Sequence, residues 1–208
     1  MSTENQLRGR PSIVDDGSII DAVTDVFWRR GFADTTITDL SAASGASRAS
    51  LYKLYGDKHA LLAAALRRYA DRFDRRVAET LSETGDPVQA VRTTLQASAE
   101  RLADPKAPGG CLRCRATLEV RGKFKEVDAA LDQVNRAFQA NMLRLLQADG
   151  RARPTDPATV HVLTAVVNGM VTLAEAGADR AALNDVVAGT VQIVQSGIGD
   201  ARHDGQRW

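Results

Sequence analysis

The sequence predicts an all-helical fold, with an amino-terminal helix-turn-helix unit ahead of a larger helical part. Three observations carry this expectation. Hydrophobic residues make up 44% of the 208 residues but aromatic ones only 5%, the Ala- and Leu-rich texture of a helical protein. No strand pattern of alternating apolar and polar residues competes with the helical one. Residues 31–62, GFADTTITDLSAASGASRASLYKLYGDKHALL, read as two short helices broken by a tight turn and followed by a third, longer helix.

The first helix carries Ala22, Val23, Val26 and Phe27 in register with Phe32, and Gly31 sits where a carboxy-terminal cap belongs. Thr36, Ile37, Thr38 and Asp39 match a capping box, so a second helix starts near Thr36. Its apolar positions Ile37, Leu40, Ala42 and Ala43 end at Gly45, which supplies the backbone angle of a tight turn. Ser47 caps the next helix, which runs to about Tyr55. Leu51 and Leu54 are expected to face inward. Arg48, Ala49, Ser50, Tyr52 and Lys53 are left outward on a short helix of small and basic residues suited to a major groove.

A long helix covers His59 to about Ser82, and Asp86 with Pro87 restarts a helix that runs to about Ala103. The stretch 104–110, DPKAPGG, is the most loop-like in the chain. Beyond it come a short helix at 111–121, a break at Gly122, a helix at 124–148, a loop at 149–156, a helix at 157–176, a break at Gly177 and a helix at 179–197. The last two are poor in charge, with no Asp, Glu, Lys or Arg in 160–174 or 186–198. Helices of that kind are buried on several sides. An intramolecular core explains this as well as a partner helix from a second copy does. Ala165, Gly169, Ala188 and Gly189 would permit such a partner's close approach.

Lys plus Arg total 27 against 26 acidic residues, so a net charge of +1 offers no global attraction to phosphates and any nucleic-acid affinity must be local. Residues 46–58 hold Arg48, Lys53 and Lys58 against Asp57 alone, and the amino-terminal arm holds Arg8 and Arg10. No unbroken run of about 18 apolar residues is present, and the first twenty residues lack the apolar stretch of a signal peptide. A cytoplasmic protein with no membrane partner is therefore expected. No Ser/His/Asp set, glycine-rich phosphate loop or paired acid motif points to an enzyme.

Gly31, Phe32, Thr35, Thr36, Leu40 and Ser41, then Leu51, Tyr52, Tyr55, Lys58 and Leu61, form two runs at the spacing of the tetracycline-repressor (TetR) family, and over residues 9–66 the chain closely resembles a regulator of that family. The GGCLRCRATLEV stretch at 109–120 is similar to a Gly-Cys-Leu segment in one branch of it. The resemblance implies a flexible basic arm at 1–11, a helix-turn-helix DNA-binding domain at 12–56, a helical regulatory and dimerisation domain at 57–200 and a tail at 201–208. It implies a repressor that binds a palindromic operator in double-stranded DNA as a homodimer, paired through 157–176 and 179–197, and is released by a small-molecule inducer. The DNA-binding residues would be Arg8, Arg10, Thr36, Ser47, Arg48, Ala49, Ser50, Tyr52, Lys53 and Lys58. Inducer-lining positions would be Phe124, Asn135, Phe138, Met142, His161 and Asn168, with Phe73, Leu95, Leu118, Asn141 and Met170 as further members. A constitutive DNA binder without inducer is the alternative within the family.

Cys111 and Cys114, the only cysteines, lie one turn apart at a helix start with Arg113, Arg115 and Arg121 nearby. A helix amino terminus and cations favour thiolate, which makes the pair a redox or electrophile sensor candidate. Packing is the other role open to them. Side chains at i and i+3 lie about 5–6 Å apart, so a disulfide would distort the first turn. A thiol-disulfide enzyme with Cys-x-x-Cys needs a preceding strand, where this chain has a Pro-Gly loop. His59, His161 and His203 lack the spacing of a zinc site, and neither metal nor cofactor is expected.

Overall fold

The computed structural model describes residues 16–154 and 156–204, with side chains through residue 197. It is helical throughout, nine helices among the described residues: α1 Asp16–Arg30, α2 Ile37–Ser44, α3 Arg48–Tyr55, α4 Lys58–Glu83, α5 Pro87–Ala103, α6 Leu112–Val120, α7 Lys125–Leu146, α8 Asp156–Glu175 and α9 Arg180–Asp204. Arg8 and Arg10 lie outside the described residues. The last helix runs to Asp204, beyond the expected end at 197, and Gly199 does not break it.

Local chemistry sets the amino-terminal boundaries. Gly31 takes a φ of 80° and its N–H closes α1 on the Phe27 carbonyl at 2.8 Å. The Thr36 hydroxyl accepts from the Asp39 N–H while the Asp39 carboxylate accepts from the Thr36 N–H at 2.8 Å, a complete capping box. Gly45, at φ 70°, makes the turn, and Ser47 caps α3 by accepting from Ser50 N–H at 3.0 Å.

Two apolar clusters organise the interior. Phe27, Trp28, Leu40 and Leu51 gather with Leu61, Leu62 and Leu66 of α4, and with Leu112, Val120, Val127 and Leu131 of α6 and α7. Val77, Leu95, Met142, Leu145, Leu163, Met170, Leu183 and Val191 form the other. Helices α4 and α7 belong to both, so the reading unit and the helical body share long elements rather than a linker. Between α1 and α4, Asp21 receives Arg68 at 2.6 Å and Arg72 at 2.7 Å, and Arg72 also reaches Asp25 at 2.7 Å.

Helix α8 corrects one expectation. It lacks a strict apolar run, yet its uncharged Thr, Asn and Gly residues leave it long and apolar enough, by length and composition, to cross a membrane. Leu163 and Met170 of its inner face are fully buried in the second cluster. Its outer face is uncovered: Val162, Ala165 and Leu173 are exposed, as are Ala188, Gly189 and Ile193 on α9.

Candidate nucleic-acid interface and regulatory cavity

Helix α3 stands off the body on the side of Leu51, which is fully buried, and presents Arg48, Ala49, Ser50, Tyr52 and Lys53 to solvent. Neither Arg48 nor Lys53 enters an ion pair among the described residues. Leu54, expected inward, is 46% exposed. A helix of eight residues seated on one side buries a single turn position, and the stripe three residues on already faces out.

Flanking groups are held differently. The Thr36 hydroxyl donates to Asp39 at 2.6 Å, and Asp39 also pairs with Arg30 at 2.8 Å, so Thr36 is exposed but engaged in its cap. Ser47 is likewise tied to Ser50. Lys58 sets its ammonium 4.1 Å from the Phe32 ring centroid, half-buried, and burial there lowers its pKa from the ordinary lysine value. It flanks α3 less freely than Lys53 does.

A second set of residues converges under this unit. A cavity of about 50 Å³ lies among α4, α5, α6, α7 and α8, lined by Tyr69, Phe73, Cys111, Arg113, Phe138 and Met170 among others. Arg113 is 93% buried, since its relative exposure is 7%, and gives its guanidinium to Asn135 at 2.8 Å and Asn168 at 2.6 Å, stacked 4.6 Å over the Phe138 ring. Of the sequence-derived lining residues, Phe138, Phe73, Asn141 and Met170 face this space. Asn135, Asn168 and the 87%-exposed Leu118 line an open groove on the other side of Arg113.

Phe124, Met142 and His161 do not line the cavity. Phe124 caps the start of α7 and packs on Phe32 and His59 beneath the reading unit. Met142 and Leu95 are core. His161 is exposed on α8, because the uncharged face it belongs to points outward. Among the lining positions that sequence reading missed are Tyr69, Arg76, Ser98, Arg101 and Arg113, which come from α4, α5 and α6 and meet only in the folded bundle.

The cysteines are both free and unlike each other. Cys111 precedes α6, is buried, and its sulfur accepts from the Tyr69 hydroxyl at 3.3 Å. Hydrogen bonding with Cys114, the Arg113 charge and the Tyr69 hydroxyl outweigh burial and hold the Cys111 thiol well below the ordinary value. Cys114, whose thiol reaches Asn168 at 3.4 Å, is pushed up, first by its bond to Cys111 and then by burial. The segment before Cys111 is loop and no strand occurs among the described residues, which removes the thioredoxin-like reading.

Helix α6 connects the two regions. Its first turn brings Cys111 and Arg113 to the cavity, while farther along Arg115 donates to the Arg29 carbonyl at 3.0 Å and Glu119 accepts from the Phe32 N–H at 2.6 Å. The end of α1 is thus fastened to the helix that walls the cavity. Trp28 adds a bond from its indole N–H to the Gly110 carbonyl at 3.3 Å.

An exposed basic second helix of a helix-turn-helix, mounted on a helical body, is an arrangement suited to reading duplex DNA. Residues 19–65 match the model of the bacterial regulatory proteins of the tetR family. Over that segment the chain resembles the TetR family. The HTH-type transcriptional repressor ComR of Escherichia coli is 26% identical over 193 residues, covering 89% of this chain and 91% of its own. In fold, the chain is similar to a cysteine-substituted CifR complexed with a 26-base-pair operator, with a TM-score of 0.69 and 24% identity over 88% of this chain and 98% of that one. It is similar also to the reduced form of Escherichia coli NemR, with a TM-score of 0.74 and 18% identity over 86% of this chain and 98% of that one.

Proposed function

We propose that this protein is a repressor that binds a palindromic operator as a homodimer and leaves it when a small molecule occupies the cavity beside α6. The observation that carries the reading is the double attachment of α6, to the cavity through Arg113 and to the end of α1 through Arg115 and Glu119. A ligand acts on DNA binding only through a difference in affinity between two arrangements of the molecule, and α6 is a rigid element common to both sites.

In this reading Arg48 contacts a guanine edge, Ala49 and Ser50 read neighbouring edges, and Thr36, Ser47, Tyr52, Lys53 and Lys58 lie along phosphates. Arg8 and Arg10 extend the contact into the minor groove. Pairing through α8 and α9 is supported by their uncovered apolar faces. Gly169 and Gly189 open into free space, where an added Cβ would meet nothing within 4 Å and a partner helix can approach closely. ComR, by its name, is a repressor, and CifR binds a double-stranded operator. The test is electrophoretic mobility of a selected operator with and without candidate ligands. Binding to an inverted repeat that ligand abolishes supports the reading, and binding indifferent to every occupant of the cavity refutes it.

The position of Cys111 favours a second route to release, thiol modification. Its sulfur lines the cavity and is the thiolate-prone member of the pair. Alkylation by iodoacetamide forms a carbon–sulfur bond with loss of iodide and places an amide group inside the cavity. Operator release on alkylation should vanish in Cys111→Ser. If that variant releases DNA like the parent, the thiol has no part in it.

A further inference from the structure

The cavity beside α6 continues outward. A chamber of about 180 Å³ between α4 and α5, lined by Thr80, Thr94 and Ala97, shares Phe73, Arg76, Ser98 and Arg101 with the inner cavity. Three guanidiniums line the combined cleft: Arg113 at its floor, Arg101 half-buried on its wall and Arg76 exposed at its rim. Neither chamber has an Asp or Glu in its wall. Among the described residues none of the three joins an ion pair. Arg113 meets the neutral Asn135 and Asn168 oxygens and the Phe138 ring, Arg101 the Gly110 carbonyl at 3.0 Å and the Trp28 ring at 5.0 Å, and Arg76 lies 5.9 Å from the Phe73 ring centroid. For the buried Arg113 and the half-buried Arg101, taking guanidinium out of water without a carboxylate costs free energy that an anion in the cleft recovers, while the exposed Arg76 adds charge at the mouth.

One more group in the cleft wants a partner. Five helix threonines, Thr24, Thr117, Thr164, Thr172 and Thr190, return their hydroxyl to the carbonyl four residues back. Thr94 does not: it is 9% exposed, it lines the outer chamber, and its hydroxyl oxygen is buried with no hydrogen bond. A buried hydroxyl left unpaired is unusual in a folded protein.

We propose that this cleft binds a small organic acid, one carboxylate on an apolar body about the size of a single ring, and that this is the ligand that releases DNA. The inference rests on the ligand-release reading above. The acid group meets Arg76, Arg101 and the Thr94 hydroxyl, and the body lies on Phe73 and Ala97. Size sets the upper limit: about 150 Å³ accommodates benzene, so the outer chamber takes one ring and the inner one does not. Three guanidiniums exclude cations, and a neutral molecule leaves their charge unanswered.

The experiment is calorimetric titration of the full-length protein with benzoate and cyclohexanecarboxylate against benzamide and cyclohexanecarboxamide, of matched shape and no charge. The acids should bind saturably and at least tenfold tighter than the amides. Arg76→Gln should weaken the acids about tenfold with little change for the amides, Arg76→Lys should recover most of the loss, and Thr94→Val should weaken the acids a few-fold. Arg76 makes no hydrogen bond among the described residues, and unchanged circular dichroism and melting would establish that the variant is intact. Equal binding of acid and amide, no acid binding, or full acid binding by Arg76→Gln overturns the proposal. Acid that binds as expected while operator stays bound upholds the ligand class and refutes the release reading. Release by a neutral compound in a protein that ignores the acids does the reverse.

Discussion

At the scale of single residues, the account separates groups that choose a sequence from groups that hold DNA of any sequence. Arg48 is exposed at the start of α3 and joins no ion pair among the described residues. Arg48→Ala should cost about 1–3 kcal/mol on the preferred operator and relax the preference at one position. Lys53→Ala should weaken every duplex alike and flatten the salt dependence by about one unit of slope. Fluorescence anisotropy on a selected operator and a scrambled duplex, across a salt series, reads both; equal losses on both duplexes for Arg48→Ala would contradict the division. The thiols give a pH signature. Because the Cys111 pKa is lowered, its alkylation rate should fall off at lower pH than that of an ordinary thiol. Mass spectrometry should find the label on Cys111 before Cys114, and the opposite order would refute the assignment.

At the scale of elements, the caps were legible because they are local. Gly31, Thr36 with Asp39, Gly45 and Ser47 each act within four residues, and spacing alone displays them. Leu54 and His161 were misplaced because periodicity gives a face and not what covers it. The cleft was illegible for a stronger reason: Arg76, Arg101 and Arg113 stand on three helices, and only tertiary packing turns three ordinary surface-type residues into one basic lining. Two elements yield predictions. Glu119→Ala leaves the Phe32 N–H without its acceptor and detaches α6 from α1; it should cost about 1–3 kcal/mol of stability and weaken the effect of cavity ligands on operator binding. Calorimetric melting and ligand-dependent mobility shifts check the two halves. Asp21 braces α1 to α4, and the Arg68 hydrogen bond foremost, then Arg72, hold its carboxyl well below the usual range against the opposing effect of burial. A depressed folded-state pKa contributes stability above the ordinary Asp value and loses it as pH falls through the lowered one. Between about pH 5 and pH 2 the melting temperature should therefore fall more in the parent than in Asp21→Asn, and parallel curves would contradict the brace.

At the scale of the whole molecule, the proposed operator binding calls for two copies. One reading helix of eight residues spans only a few base pairs, and paired heads about 34 Å apart, or a multiple of that, read a site long enough to be specific. The uncovered faces of α8 and α9 supply the place to pair. Gly169→Arg should leave the protomer folded, since nothing lies within 4 Å of an added Cβ, yet obstruct a partner helix. Light scattering should give a dimer for the parent and a monomer with lost operator binding for the variant. The measurement that reaches the central claim most directly is selection of random duplex DNA by the purified, reduced protein. The account predicts an enriched inverted repeat with half-sites one or two helical turns apart, released when the cleft is occupied. An unenriched pool, or a single half-site bound as tightly as the repeat, would contradict it.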